Sequence, residues 1–470
     1  MRAAHENPPS NPPQAIPFAW YPDPMARAAA LRAFQRRLEA SQWLPPEKID
    51  HWQRRRLSVL LAHASAHSPY YKRQLSNLPR DFAKDASVNL QDIPILTRDV
   101  LQDEYAEICT TAWPARHGPA GETQTSGSTG QPVKVKRTGL CQMHWLALTL
   151  RDHLWHERDF SASMAVIRAP VGHGGDKAAF MPMWGEAVNV VARSGPTHFL
   201  PISTDVNRQA EWLSQLNPGY LLTYPTNLAE LLRIAEQGRL PLPGLREIRT
   251  IGETLSGSVR DECSRLLGVP VTDLYSSQEL GIMALQCPVS SHYHVQSESV
   301  LLEILSDAGE PCRPGEVGRI VVTDLHNFAT PLIRYELRDY AEAGPPCPCG
   351  RGLPTLRRIL GRRRNMVVLP DGKRHWPLVG FQQFREVVPA LKQYQLIQRT
   401  PKQIEARLVV AGNITSEQEG ALTRVIQDAL GYPFELRFDY RAKELHRTHG
   451  GKFEEFICQL DRFRGDGMHE

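Results

Sequence analysis

No apolar run in this chain of 470 residues approaches the ~20 residues that a membrane-crossing helix needs. The proline-rich start, Pro8 to Pro24, lacks the apolar core of a signal peptide. The expectations are therefore a cytoplasmic location and no membrane partner. Cysteine is sparse, with eight in the whole chain and no dense framework of spacings, which argues against a disulfide-stapled secreted scaffold and leaves reduced thiols or metal ligands. Neither sign of charge is in excess. The 55 basic and 51 acidic side chains give a formal charge of +4, so no general attraction to nucleic acid is expected. The arginines at 357, 358 and 362 to 364 read as a solvated hinge or a phosphate-facing segment rather than a nucleic-acid patch. Also missing is the lysine of the common nucleotide-binding P-loop, because Gly130 is followed by Gln131 and Pro132.

What is present is an ordinary globular composition, 41% hydrophobic and 23% charged, in a chain long enough for two or three domains. The segment Thr125-Ser126-Gly127-Ser128-Thr129-Gly130-Gln131-Pro132 packs hydroxyls and glycines ahead of Lys134-Val135-Lys136-Arg137. Glycines allow backbone N–H groups to converge on an anion, hydroxyls add donors, and the basic residues add charge, so the segment reads as a polyphosphate grip. A flexible Gly/Ser linker has the same composition.

Residues 1–24 hold too little apolar content to fold and are expected to form a disordered arm. From Met25 to about Glu107, Ile49, Trp52, Leu57, Leu60 and Leu61 recur at helical spacing, which predicts a helical layer. Between Met164 and Ser277, short β-type runs at 165–167, 220–223, 248–251 and 271–274 alternate with helical stretches at 206–216, 227–236 and 259–267. That alternation predicts an α/β unit with a largely parallel sheet, whose ligands bind beyond the carboxyl ends of the strands. Residues 298–340 read as antiparallel β-structure. After Gly361 a small α+β unit follows, with strands at 404–410 and 434–440 around a helix at 416–430. The predicted division is thus a large α/β domain with a helical layer and a β-region over 25–360, and a small mobile α+β domain over 361–470.

Five motifs occur in a fixed order: the phosphate segment, Tyr275-Ser276-Ser277-Gln278-Glu279, the run from Pro331 to Asp339, Gly361-Arg362-Arg363-Arg364-Asn365, and Arg447-Thr448-His449-Gly450-Gly451-Lys452. In that order and spacing they resemble the adenylate-forming acyl and aryl ligases, most closely the phenylacetate–CoA ligase and coenzyme F390 synthetase branch. Ser68-Pro69-Tyr70-Tyr71, Ile93 to Arg98, and Asp307 to Thr323 extend the resemblance over most of the chain.

The resemblance implies an ATP-dependent, AMP-forming ligase that activates an aryl or related small carboxylic acid and passes the acyl group to coenzyme A. A carrier-protein thiol or an amine as acceptor stays open at this point, as does a non-catalytic interaction module that keeps the fold. It implies that Thr125, Ser126, Gly127, Ser128, Thr129 and Gly130 grip the phosphates, whereas Lys134 reads equally as a surface lysine. Glu279 would help bind Mg²⁺; read alone, it is an exposed glutamate opening a helix. Tyr275 and Ser276 would lie near the adenine with Gly252 and Glu253, and Asp339 would accept the ribose hydroxyls. Leu337 and Arg338 precede Asp339 where the family usually has threonine and glycine. Arg362 matches the hinge arginine, while Arg364 and Asn365 replace common acidic residues. Lys452 matches the mobile catalytic lysine.

Outside the general pattern stand Cys287, His294, Cys347 and Cys349. Three thiols and an imidazole can close a tetrahedral zinc site, as some members of the branch do, with His292 the rival ligand; unrelated buried thiols are the alternative. The acid pocket is expected among Arg168, Ala169, Pro170, His173, Trp184, Tyr224 and Pro225, a mix suited to a planar or aromatic acid. Arg168 and His173 could each pair a second acidic group or be structural.

Overall fold

The computed structural model describes residues 23–77, 89–125, 132–169, 178–362, 365–375, 381–442, 445 and 453–460. All but the last two residues of the expected arm lie outside that set, and those two start a helix. Asp23 caps it by accepting Ala26 N–H at 2.7 Å, and Pro24 occupies the first turn, where its missing N–H costs nothing. α1 (Pro24–Ser41), α2 (Pro46–His67), α3 (Pro69–Gln74), α4 (Arg98–Asp103) and α5 (Tyr105–Ile108) form the N-terminal layer. Leu31, Phe34 and Leu38 of α1 and Leu57, Leu60 and Leu61 of α2 are buried, as their helical spacing predicts.

β1 (Ala120–Gln124) and β2 (Lys134–Thr138) pair antiparallel and bracket the phosphate segment. Ser126, Gly127, Ser128, Thr129 and Gly130 lie outside the described residues. After α6 (Gly139–Trp155) come β3 (Met164–Arg168), β4 (Ala179–Met181), α7 (Glu186–Asn189), β5 (Thr197–Pro201), α8 (Val206–Leu216), β6 (Tyr220–Thr223), α9 (Pro225–Glu236), β7 (Glu247–Ile251), α10 (Gly257–Leu267) and β8 (Val271–Ser277). β5, β3, β6, β7 and β8 are parallel neighbours. Leu213, Leu228, Leu231 and Cys263 from the helices pack on Ala165, Ile167, Leu221 and Ile248 of the strands.

The chain then turns antiparallel through β9 (Gly281–Gln286), β10 (Tyr293–Val295), β11 (Val300–Leu305), β12 (Val317–Asp324), β13 (Tyr335–Ala343) and β14 (Thr355–Arg362). Together they make one twelve-stranded sheet, ordered β11-β12-β13-β14-β10-β9-β8-β7-β6-β3-β5-β4. Buried Arg334 ties this half to the N-terminal layer. It pairs with Glu303 at 3.0 Å and donates to the carbonyls of Leu90 and Ile93 at 2.7 Å.

β15 (Val367–Val368), β16 (Arg374–His375), α11 (Phe381–Val387), β17 (Leu391–Thr400), β18 (Gln403–Val410), α12 (Ser416–Leu430), β19 (Glu435–Arg441) and β20 (Phe456–Cys458) follow. β19-β18-β17-β20 form a separate sheet, and Leu396, Leu408, Leu422, Ile426 and Phe434 fill a core of their own. α12 begins with a reciprocal capping box between Thr415 and Gln418 and ends at Gly431 in the left-handed conformation. Among the described residues no helix is long and apolar enough to cross a membrane.

Candidate active site

The parallel order of β3, β6, β7 and β8 brings their carboxyl ends to one rim. Arg168, Tyr224, the pair Gly252 and Glu253, and the pair Tyr275 and Ser276 all stand there, the position at which open α/β sheets bind ligands. Glu253 links two of these ends. Its Oε2 accepts the Thr226 N–H at 3.0 Å and the Thr226 hydroxyl at 2.8 Å. Its Oε1 accepts the backbone N–H of Phe453 at 2.8 Å, which docks the C-terminal unit on the rim.

Asp339 comes from β13, in register with Arg362 on β14. The Tyr275 hydroxyl donates to Asp339 Oδ2 at 2.9 Å, and Arg362 Nε lies 3.6 Å from Asp339 Oδ1. Burial first, then the Asp339 carboxylate, pushes the Tyr275 phenol far above its ordinary value, so it stays protonated and able to donate. Burial opposes the Arg362 charge, but Asp339, Glu454, Glu279 and Tyr275 outweigh it and hold the guanidinium above its usual value. Arg338 has φ +63°, the left-handed region that glycine favours. The bulge of β13 at Asp339 therefore keeps a glycine-like backbone with arginine in it, and Arg338 meets Asp99 at 2.5 Å across the surface.

Glu279 sits in the turn between β8 and β9, not at a helix start, and is buried at 7% exposure. Three features shape that turn. Leu280 N–H donates to Ser277 Oγ at 3.1 Å, Gly281 has φ +81°, and Arg137 donates to the carbonyls of Glu279 and Leu280. A Cβ on Gly281 would meet the Arg137 guanidinium at 3.0 Å. Arg137 thus supports the Glu279 turn, while Lys134 lies half exposed, 3.6 Å from Glu122.

Arg98 went unselected as a site residue in the sequence reading. Its Nη1 lies 3.6 Å from Glu279 Oε1 and its Nη2 reaches Thr125 Oγ1 at 3.4 Å. Thr125 closes the neck of the phosphate segment, donating its N–H to Val133 O and accepting the Val133 N–H on Oγ1, both at 2.9 Å. The only available signal was Thr97, a helix cap that starts α4 at Arg98. Lys452, Arg363, Arg364, Pro170 and His173 lie outside the described residues. Trp184 goes elsewhere, because its indole donates to Ala162 O at 2.8 Å and packs on Tyr220, both at the amino ends of the strands.

The four donors of Cys287, His294, Cys347 and Cys349 lie within 4.8 Å of one another. Cys287 Sγ to Cys347 Sγ is 3.6 Å, and Cys349 Sγ to His294 Nε2 is 3.3 Å. A tetrahedral zinc with Zn–S of about 2.3 Å and Zn–N of about 2.0–2.1 Å sets its ligand atoms roughly 3.5–3.8 Å apart, so the set fits the ion. His294 Nδ1 faces Leu353 O at 3.4 Å, leaving Nε2 directed at the thiols. His294, not His292, completes the group. Burial raises all three thiols; hydrogen bonds, from His294 above all at Cys287 and from the Arg351 backbone at Cys349, turn those two downward, while Cys347 is pushed up to about 11.

The AMP-binding enzyme family matches residues 44–329 of the chain. A phenylacetate-coenzyme A ligase of Thermus thermophilus is 27% identical over 344 residues, covering 69% of this chain and 73% of that protein. The phenylacetate-coenzyme A ligase of Escherichia coli is 25% identical over 340 residues, again covering 69% and 73%. In fold the chain is similar to a 2-hydroxyisobutyryl-CoA ligase in its postadenylation state, with a TM-score of 0.68 and 17% identity over 98% of this chain and 96% of that one.

Proposed function

The chain belongs to the AMP-binding enzyme family, and from that membership we propose that it is an ATP-dependent, AMP-forming ligase that joins a small carboxylic acid to coenzyme A. The observation that carries the reading is the convergence of Tyr275, Asp339 and Arg362 with Arg98, Glu279 and Thr125 beside the carboxyl ends of parallel strands. The named relatives, both phenylacetate-coenzyme A ligases, support coenzyme A as acceptor.

A carboxylate is a poor acyl donor, so the acid attacks the α-phosphate of ATP, giving acyl-AMP and pyrophosphate; the thiol of coenzyme A then displaces AMP. In this reading Asp339 accepts the ribose hydroxyls while Tyr275 and Arg362 hold its carboxylate in place. Gly252 and Glu253 with Ser276 flank the adenine, and the residues from Thr125 to Gly130 grip the β- and γ-phosphates. Glu279 would hold Mg²⁺, which when bound neutralises phosphate charge; Arg98 adds fixed positive charge between Glu279 and the phosphate segment. Lys452 supplies the ammonium that offsets charge on the α-phosphate during adenylation. Cys287, His294, Cys347 and Cys349 would hold a structural zinc, whose contribution is a cross-link between two loops.

Acid-dependent exchange of pyrophosphate into ATP, with Mg²⁺ present, tests the reading directly. Exchange with at least one acid class and its fall by about 10²–10³-fold in Lys452→Ala are the expected results, the size of losing one transition-state charge partner. Absence of exchange across a broad panel of acids, with the protein folded, would reject the reading.

A further inference from the structure

Arg168 is the last residue of β3 and is mostly buried at the ligand-binding rim. Burial pulls its guanidinium below the ordinary arginine value, and the Tyr224 hydroxyl is the one neighbour that opposes this. Among the described residues it has no carboxylate and no hydrogen-bond acceptor. The other deep guanidiniums among the described residues are treated differently. Arg151 pairs with Glu298, Arg158 with Asp152 and Glu247, Arg249 with Asp152, Arg334 with Glu303, and Arg362 with Asp339. Arg56, also without a carboxylate, lies over the Trp52 ring on α2, within the N-terminal layer. Arg168 is thus a partly buried guanidinium at the rim that carries no partner among the described residues, whereas the deeper arginines have partners, and its charge stands open to an anion that arrives.

We propose that Arg168 receives a second anionic group at the far end of the acid, so that the preferred substrates are dicarboxylic acids. This rests on the ligase reading above. Geometry separates Arg168 from the reacting carboxylate. The reacting group must lie near Tyr275 and Glu279, at the end of β8, whereas Arg168 ends β3, three strands away in the order β8-β7-β6-β3. At about 4.8 Å per strand that is roughly 14 Å, too far for one carboxylate to serve both ends. The acid must therefore hold its two charges several ångströms apart, as across a benzene ring or an aliphatic chain of similar length. Arginine suits the task, because its planar fork donates two parallel hydrogen bonds to a carboxylate.

The test compares pairs of acids that differ only in the second carboxylate: 4-carboxyphenylacetate against 4-methylphenylacetate, and adipate against hexanoate. The assay is pyrophosphate exchange without coenzyme A, so phosphates of that acceptor cannot contribute. The expected result is a kcat/KM for each diacid at least ~30-fold above its partner, in the range set by one charge-assisted bidentate contact. Arg168→Met should lower diacid exchange by about the same factor and raise exchange of the monoacid, while Arg168→Lys keeps part of the diacid preference. A melting curve guards against misfolding. Arg168→Met should melt no lower than the wild type, since the guanidinium has no protein partner to lose among the described residues and methionine keeps an apolar stem, and the diacid alone should raise the Tm of the wild type but not of the variant.

Equal use of both members of each pair, unchanged in Arg168→Met, would overturn the proposal and leave the ligase reading intact. A uniform loss for all acids with a lowered Tm would make Arg168 structural. A defect confined to thioester formation would assign the anion to coenzyme A. Silence of the wild-type enzyme with every acid would reject the ligase reading, and this proposal with it.

Discussion

Tyr275 carries more of the site than an aromatic residue beside a purine would. Its hydroxyl fixes one oxygen of Asp339 while Arg362 approaches the other, so the carboxylate is held from both sides. Tyr275→Phe removes a hydrogen bond to a charged acceptor, a change of about 1.5–3 kcal/mol, and should raise the KM for ATP roughly 10- to 100-fold with a smaller effect on kcat. Steady-state kinetics at saturating acid measure this, and an unchanged KM would separate Tyr275 from ribose binding. Tyr275 and Asp339 are singled out by sequence motifs; their direct bond is not legible there, because 64 residues separate them and no local pattern encodes the pair. Arg338 shows the opposite case. Arginine stands where the family usually has glycine, yet the backbone keeps φ +63° at a bulge inside β13, flanked by the strand pairing of Asp339 with Arg362.

At the scale of elements, the parallel strands were readable because strands covered on both faces are short apolar runs bounded by turns, and the 206–216 and 416–430 helices match α8 and α12. Arg98 was not readable, because its meaning depends on α4 meeting both the β8–β9 turn and the neck of the phosphate segment. The β9–β10 turn and the β13–β14 loop meet at the Cys287, His294, Cys347 and Cys349 cluster. β9 joins that cluster to the Glu279 turn. Gly281 and Cys287 stand at opposite ends of it, about 20 Å apart at strand rise, so a metal in the cluster is too remote for the chemistry. Metal analysis should find about one zinc per chain, since all four positions of a structural site are filled by the protein. Chelation or Cys349→Ser should lower Tm by several degrees while leaving the ranking of acids in the exchange assay unchanged. A metal-free protein with the same Tm in the presence of chelator would dismiss the site.

Across the whole molecule, the C-terminal unit meets the rim through Phe453, with Glu455 close behind. Burial, and then the Glu253 carboxylate, pushes the Glu455 carboxyl up to about 7 against the opposing hydrogen bond of Tyr394 at 2.9 Å. A carboxyl raised in the folded state binds its proton more tightly there than when unfolded. Its contribution is therefore complete below its ordinary value of 4.5, declines as pH rises, and is lost above about 7. Glu455→Gln should flatten that decline, worth roughly 2–3 kcal/mol at most, which Tm measured from pH 5 to pH 8 would register; parallel curves for the two proteins would reject the assignment. The contact with Glu253 has a different implication for how the sequence can vary. This bond uses the peptide N–H of Phe453, which every residue except proline carries, so proline at 453 abolishes it. Position 253 has no such freedom, since one carboxylate serves Thr226 and Phe453 together. Over evolutionary drift, the meeting of the two units would leave its trace as one restricted letter at 253 and one forbidden letter at 453.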